Sequence, residues 1–167
     1  MRIQKKISML LIAFVMTAFA NAQQKESPAT TATGTVNGAK ITVSYGSPSV
    51  KGRAIWGELV PYGQVWRVGA NEATTFETSK DIMVEGKKLA AGKYSFFAIP
   101  EKGEWTIIFN TDAKQWGAYK YDAKKDALRV KVKAKKSAAF TEKMTFKVTA
   151  NAVVLNWENL EVPVALK

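Results

Sequence analysis

The feature that most constrains the fold is a regular alternation of apolar and polar residues between positions 140 and 149. Phe140, Met144, Phe146 and Val148 fall on one side of an extended chain, and threonine and lysine residues occupy the other side. A period of two is the signature of a strand with one buried face. The segment therefore predicts a β-strand with one face in the core and one in solvent.

Turn residues join such segments into hairpins. Asn37-Gly38 separates two extended runs, and this dipeptide readily supplies both positive φ angles of a type I′ turn. The Ala150-Asn151 step links the alternating segment to residues 153–158, where apolar residues again alternate with others. The sequence thus predicts one hairpin near each end of the domain.

The remaining extended runs are short and are separated by Gly, Pro and Asn. They cover residues 65–68, 74–77, 82–84, 93–99, 105–109 and 128–132. Many short strands with frequent turns are typical of antiparallel sandwiches and barrels. We predict an all-β, antiparallel β-sandwich of jelly-roll-like type with one or two short helical turns. Ile55–Pro61 and Ala113–Lys125 are each expected to form a short helical turn or an ordered loop.

The first residues have the pattern of an export signal. Arg2, Lys5 and Lys6 precede the weakly polar to apolar run Met9–Ala20, which ends in a small-x-small cleavage motif. We predict a signal peptide over residues 1–22, cleaved after Ala22, and a periplasmic or secreted protein. The run is shorter than the roughly 20 apolar residues of a membrane span, so no transmembrane segment is expected after cleavage.

The rest of the chain divides into a lead and a domain. Residues 23–33 are rich in polar and small residues without an apolar period, which predicts a disordered lead. Residues 34–167 are expected to form the single β-sandwich domain. Because the chain contains no cysteine, packing alone must hold that domain together.

The residue inventory excludes several classes of site. Without histidine or cysteine, the chain cannot build a serine-histidine-carboxylate triad, a cysteine-histidine pair or a standard zinc site. No glycine-rich loop opens a helix, and the acids lack the spacing of a calcium loop. We predict no metal and no cofactor, and we assign no catalytic residue. A pair of carboxylates or a lysine nucleophile remains as a catalytic option, but the inventory favours binding over catalysis.

Residues 47–77 concentrate two tryptophans, two arginines and four glycines. After the leader the chain has three arginines and nineteen lysines. Since lysine supplies nearly all of the positive charge, an arginine indicates a position where its particular side chain is needed. Its planar fork of donors binds carboxylate, phosphate or sulfate in a bidentate way. Tryptophans outside the predicted strands are candidates for exposed stacking surfaces. The candidate ligand-binding residues are Arg53, Trp56, Arg67, Asn71, Glu72 and Trp116.

Arg67 also has a purely structural interpretation. In an extended segment Trp66 faces the core and Arg67 the opposite side. Glu142 lies on the otherwise apolar side of its own strand and needs a partner if it is buried. The sequence leaves two alternatives open: an internal pair of Arg67 with Glu142, supported by hydrogen bonds from Asn71, or contact with a ligand.

Three longer motifs and one short one resemble a known family. They are SPSVKGRAIWGELVPYGQVWRVGANE at 47–72, GKKLAAGKYSFFAIP at 86–100, EWTIIFN at 104–110 and Gln115-Trp116-Gly117. These motifs are similar to an exported bacterial family catalogued as domain of unknown function 2911, over about residues 30 to 166. The resemblance implies an envelope or secreted location in Gram-negative bacteria and supplies no catalytic residues.

The chain carries a formal charge of +11, which indicates anionic partners or simply a soluble surface. Nucleic acid is not expected, since an exported protein rarely meets it and no basic helix is present. The leading hypothesis is a binding module for a small anionic or carbohydrate-like ligand in the envelope. The alternatives are a hydrolase or lyase that acts on envelope polysaccharide through Glu72 and a second carboxylate, and a structural or protein-docking module.

Overall fold

A computed structural model describes residues 26–167, so the predicted signal peptide lies outside the described residues. The described residues form ten strands and one 3₁₀ turn. These are β1 (Ala29–Val36), β2 (Ala39–Gly46), β3 (Thr75–Thr78), β4 (Ile82–Val84), β5 (Lys87–Leu89), β6 (Gly92–Ile99), β7 (Glu104–Asn110), the 3₁₀ turn Ala123–Lys125, β8 (Asp126–Lys133), β9 (Lys135–Val148) and β10 (Ala152–Ala165).

The strands form two layers. One layer is a six-stranded antiparallel sheet in the order β1-β2-β3-β6-β7-β8, and the other contains the long hairpin β9-β10. Aromatic rings join the layers: the ring centroid of Phe146 in β9 lies 5.0 Å from Tyr45 in β2 and 5.8 Å from Phe96 in β6. A small hairpin, β4-β5, completes the described strands. The predicted all-β class with antiparallel, sandwich-like sheets is confirmed.

Both predicted hairpins are present. β1 and β2 are joined by Asn37 and Gly38, whose φ angles are 46° and 79°, as a type I′ turn requires. β9 and β10 pair from Val148 opposite Val153. The first strand begins earlier than predicted, because β1 already pairs with β2 at Ala29. Residues 29–33 are therefore part of the sheet and not of a disordered lead.

The first half of β9 departs from the predicted alternation. Met144 and Phe146 are buried as expected, but Phe140 is 56% exposed. The register shifts between Thr145, which pairs with Asn156, and Thr141, which pairs with Glu158. Four residues of β9 therefore face two of β10, and this irregularity interrupts the alternation. The side of the strand that is buried at residue 144 is no longer buried at residue 140.

Loops cover the outer face of the central strands. Phe97 of β6 and Ile108 of β7 form a second buried cluster with Ala73, and Ala118 and Tyr121 pack against it. The loop that contains residues 113–121 therefore lies over the six-stranded sheet. Residues 65–68 form no strand, only an isolated bridge between Trp66 and Ala98. The two stretches predicted to be turns or ordered loops are confirmed, the second with a 3₁₀ turn at its end.

Tyr121 anchors this loop to the sheet. Its ring lies edge-on to Phe97, with centroids 5.2 Å apart. Its hydroxyl donates to the carboxylate of Asp126 and accepts a hydrogen bond of 2.6 Å from Nη2 of Arg129. Burial, together with the hydrogen bond to Asp126, raises the pKa of Tyr121 to about 12.

We expect the stability of the domain to fall as the pH rises from 10 to about 12, because the folded state holds the Tyr121 proton more tightly than the unfolded state. Urea unfolding across this range measures the effect. Tyr121→Phe removes the titrating group and should flatten this part of the profile. Tyr94, whose pKa is also raised by burial, is unchanged in this variant, so its own contribution to the alkaline profile should remain. An unchanged alkaline profile in Tyr121→Phe contradicts the assignment.

Candidate functional site

Two neighbouring cavities open on the surface where the loops meet the sheet. The first, of about 500 Å³, is named the arginine cavity, and its lining includes Arg53, Arg67, Lys51, Trp66, Trp157 and Tyr119. The second, of about 520 Å³, is named the Trp116 cavity, and its lining includes Asn71, Glu72, Thr75, Lys93, Lys114 and Trp116. Both have the size of ordinary small-molecule sites.

Five of the six candidate residues line one or the other cavity, and the sixth lines neither. Arg53 and Arg67 line the arginine cavity, whereas Asn71, Glu72 and Trp116 line the Trp116 cavity. Trp56 lines neither. The structure therefore brings the arginines together and the Asn-Glu pair together with Trp116, but it does not place all six residues on one cavity.

Both arginines are held in place by the protein backbone. Arg53 donates from Nε to the carbonyl of Val50 (3.0 Å) and from Nη2 to the carbonyl of Ser49. Arg67 is half-buried and donates from Nε to the carbonyl of Gly69 (3.0 Å). Within residues 26–167 four salt bridges occur, and neither guanidinium takes part in any of them. Donors on the terminal nitrogens thus remain for a ligand.

The internal pair of Arg67 with Glu142, one of the two alternatives that the sequence leaves open, does not form. Glu142 is exposed, and its Oε1 accepts a hydrogen bond of 2.8 Å from the backbone N–H of Lys51. The irregular register of β9 places this carboxylate at the surface, where no cationic partner is required. Asn71 also has another role than expected, since its Nδ2 donates to the carbonyl of Ser27 at 3.5 Å.

Four tryptophans form the floor beneath the arginine cavity. Trp66 and Trp157, which line the cavity, are stacked with an interplanar angle of 14° and centroids 6.1 Å apart. Trp56 packs edge-on against both rings and against Trp105, at centroid distances of 5.2 to 5.8 Å. The expectation that Trp56 is an exposed platform is therefore wrong, because its ring completes this cluster. Trp116, in contrast, is 60% exposed.

A strained backbone segment separates the cavities. Val68 has a φ of 52°, which is a true outlier for a β-branched residue. Its carbonyl accepts a hydrogen bond of 2.7 Å from the hydroxyl of Thr74. Two residues further on, the N–H of Ala70 donates to the carbonyl of Gly46 at 3.1 Å. Such strain persists only where the surroundings fix it, so Arg67, which precedes Val68, leaves a rigid turn.

The loop of residues 113–119 forms the opposite wall. Glu72 and Trp116 form a β-bridge, and the N–H of Gly117 donates to the carbonyl of Asn71 at 3.1 Å. Gly117 has a φ of 63°, and a side chain there would meet the ring of Tyr119 at 2.9 Å and Nη1 of Arg67 at 3.2 Å. Glycine at 117 therefore allows Arg67 and Tyr119 to approach each other.

Comparison with protein families gives one finding. A family described as a protein of unknown function, DUF2911, matches residues 27–166. The chain belongs to the DUF2911 family. Neither the curated proteins nor the solved structures compared with the chain gave a match. The resemblance inferred from the motifs is thereby confirmed, and the matched range includes every lining residue of both cavities except Glu26.

Basic side chains outnumber acidic ones in both cavities of this DUF2911 domain. Arg53, Arg67 and Lys51 line the arginine cavity with a single carboxylate, Glu26. Lys51 donates to Glu26 from Nζ, and this hydrogen bond and charge hold the pKa of the Glu26 carboxyl below its ordinary value. The Trp116 cavity contains two lysines and, again, a single carboxylate, Glu72. Both cavities therefore carry an excess of positive charge.

Sequence reasoning missed Tyr119, Lys51 and Trp157 as lining residues of the DUF2911 site. Tyr119 is 84% exposed and follows Trp116 by three residues in a loop that was already singled out. That spacing was the available signal. Trp157 gave no such signal, because its alternation predicts a core residue and its ring is indeed buried while also closing the cavity floor.

Two further properties of the DUF2911 domain concern residues 26–167 alone. This part of the chain holds no group of three or more Asp and Glu side chains placed to share a metal ion. It also contains no helix of the length and apolar character that a membrane crossing requires.

Proposed function

We propose that this DUF2911 protein is a binding module for a small anionic, carbohydrate-like ligand, which the arginine cavity holds. One observation carries the proposal: two guanidinium groups, neither of them in a salt bridge among residues 26–167, line a cavity of about 500 Å³ beside exposed and half-buried aromatic rings. Such a cavity offers an anion both charge and directed donors.

The aromatic surface supports a ligand with a flat apolar face. Tyr119 and Trp66 belong to the cavity lining together with the apolar side chains Leu59 and Val60. Ligand sites typically combine such apolar walls with a few well-placed polar groups. A sugar acid has both an apolar ring face and a carboxylate, so the class that fits best is a uronic acid or sugar phosphate. The predicted signal peptide supports an envelope location, where such acids occur in polymers.

Arg67→Gln should lower the affinity for a uronic acid by about tenfold or more, because a hydrogen bond to a charged group contributes roughly 1.5–3 kcal/mol. We would titrate the purified protein with glucuronate, galacturonate and glucose 6-phosphate in a calorimeter, with glucose as the neutral comparison. Lys147→Gln removes an exposed charge that lines neither cavity and should bind like the natural protein.

Two results would reject this proposal. One is the absence of binding for all three acids. The other is an Arg67→Gln variant that binds as tightly as the natural protein while its melting temperature collapses, because Arg67 is then a structural residue. Melting temperatures of all variants are measured alongside to separate the two roles.

The hydrolase or lyase alternative requires two carboxylates across one cleft. Each cavity of the described domain presents one, Glu26 in the first and Glu72 in the second, and Glu26 is already paired with Lys51. The docking alternative rests on exposed apolar side chains, but the most exposed aromatic residues, Trp116 and Tyr119, belong to the cavities. No observation therefore favours a second function over ligand binding.

A further inference from the structure

We infer that the two cavities are neighbouring subsites of one groove and that the ligand is a short acidic oligosaccharide with at least two charged units. This inference rests on the proposed function, since it identifies the ligand class of the same site. Four observations carry it: the wall between the cavities, the loop along both of them, the charge in each and their sizes.

The wall between the cavities is low in bulk. Ser27 and Ala70 line both cavities, and both have small, half-buried side chains. The backbone beneath them is closed by the hydrogen bond from Ala70 to Gly46. The side chains shared by the two linings are therefore both small, and the two cavities adjoin at Ser27 and Ala70.

One loop supplies an exposed aromatic ring to each cavity. Tyr119 lines the arginine cavity and Trp116 the other, and they are 84% and 60% exposed. Exposed aromatic rings that lie in clefts are typical of binding surfaces. The backbone of Gly117 between them is hydrogen-bonded to Asn71, and this contact fixes the loop that carries both rings.

Each cavity also has its own positive charge. Arg53 and Arg67 serve the first cavity, and Lys93 and Lys114 serve the second. Each cavity thus combines an exposed aromatic ring with basic side chains, which matches a repeat of sugar rings that each carry an acid. The volumes agree with this, since about 500 and 520 Å³ each suit one small ligand and not a polymer.

The test is the dependence of affinity on chain length. We would titrate the purified protein with galacturonate and with its oligomers of about two to six units. The expected result is a rise in affinity of more than tenfold from the monomer to the dimer or trimer, followed by a plateau, because the second unit binds without a second loss of translational freedom. A plateau distinguishes binding at two subsites from the gradual statistical rise in affinity that any longer oligomer shows.

Trp116→Ala should remove most of this gain and leave the affinity for the monomer within about twofold. Phe140→Ala is the matched control, since Phe140 is a similarly exposed aromatic residue that lines neither cavity, and it should change nothing. Unchanged melting temperatures show that both variants are folded.

The remaining outcomes each decide the question. Arg67-dependent binding of the monomer with no gain for oligomers overturns the groove and leaves the proposed function standing. Equal losses for monomer and oligomer in Trp116→Ala also overturn the division into subsites. If neither galacturonate nor its oligomers bind, the proposed acidic-oligosaccharide ligand is rejected, and binding of glucose 6-phosphate to the arginine cavity then decides whether the proposed function survives alone.

Discussion

Trp105→Ala is expected to lower the free energy of unfolding by about 3–5 kcal/mol, the range for large aromatic side chains removed from a core. Trp105 is 0% exposed, and its ring contacts Trp56 and Trp66 at centroid distances of 5.2 and 6.2 Å. A domain of this size typically has a free energy of unfolding of about 5–15 kcal/mol, and this chain has no disulfide to add to it. Urea unfolding monitored by circular dichroism measures the loss.

The matched substitution is Trp105→Phe. Nε1 of Trp105 is buried and has no hydrogen-bond partner within the part of the chain that the structure describes, so phenylalanine removes an unpaired donor and sacrifices no hydrogen bond. Nε1 of Trp157, in contrast, donates to the carbonyl of Glu142 at 3.3 Å. Trp105→Phe should therefore destabilise less than Trp157→Phe. The reverse order would show that Nε1 of Trp105 has a partner such as buried water.

The regular parts of the fold were predictable because they depend on local chemistry. Asn37 and Gly38 determine a turn through their own backbone preferences, and alternation identified residues 153–158 correctly. Phe140 and the start of β1 were predicted wrongly, because each depends on how its strand pairs with the other strand of its hairpin. β1 extends to Ala29 only because β2 is long enough to pair with it, and no local pattern records this.

The candidate site was predictable in part for the same reason. The rarity of arginine was visible in the sequence and identified Arg53 and Arg67, which share one cavity. The separation of this cavity from the one at Trp116 was not visible, because it depends on contact between Gly46 and Ala70, which are far apart in sequence. The sequence also does not distinguish a tryptophan that packs in a cluster, as Trp56 does, from one that is exposed to solvent.

The site combines rigidity with unused donors. Arg67 leaves a turn in which Val68 adopts a positive φ, and its Nε is committed to the carbonyl of Gly69. A side chain held in this way loses little conformational entropy when a ligand binds its terminal nitrogens. The backbone contacts thus favour binding although they consume one donor of the guanidinium.

The contact between Gly46 and Ala70 leads to the second large effect, which is expected for Gly46→Ala. A Cβ atom at Gly46 would lie 2.2 Å from the carbonyl oxygen of Ala70, a distance that no pair of unbonded atoms tolerates. The Cβ atom would be fixed to the backbone of β2, and the oxygen belongs to the backbone of the turn at Ala70, so one of these two segments must move. We expect a loss of stability of at least about 1–3 kcal/mol, the usual range for overpacking, seen as a lower melting temperature.

The same substitution should weaken ligand binding, because Ala70 lines both cavities and its displacement alters both. Gly86→Ala is the matched control: Gly86 has a φ of 79° and nothing within 4 Å of its would-be Cβ atom. It should cost only the roughly 1–2 kcal/mol of a left-handed backbone and leave binding of the uronic acids intact. If Gly46→Ala retains the natural affinity, measured by calorimetry well below its melting temperature, the wall between the cavities does not position the ligand, and the arginines alone hold it.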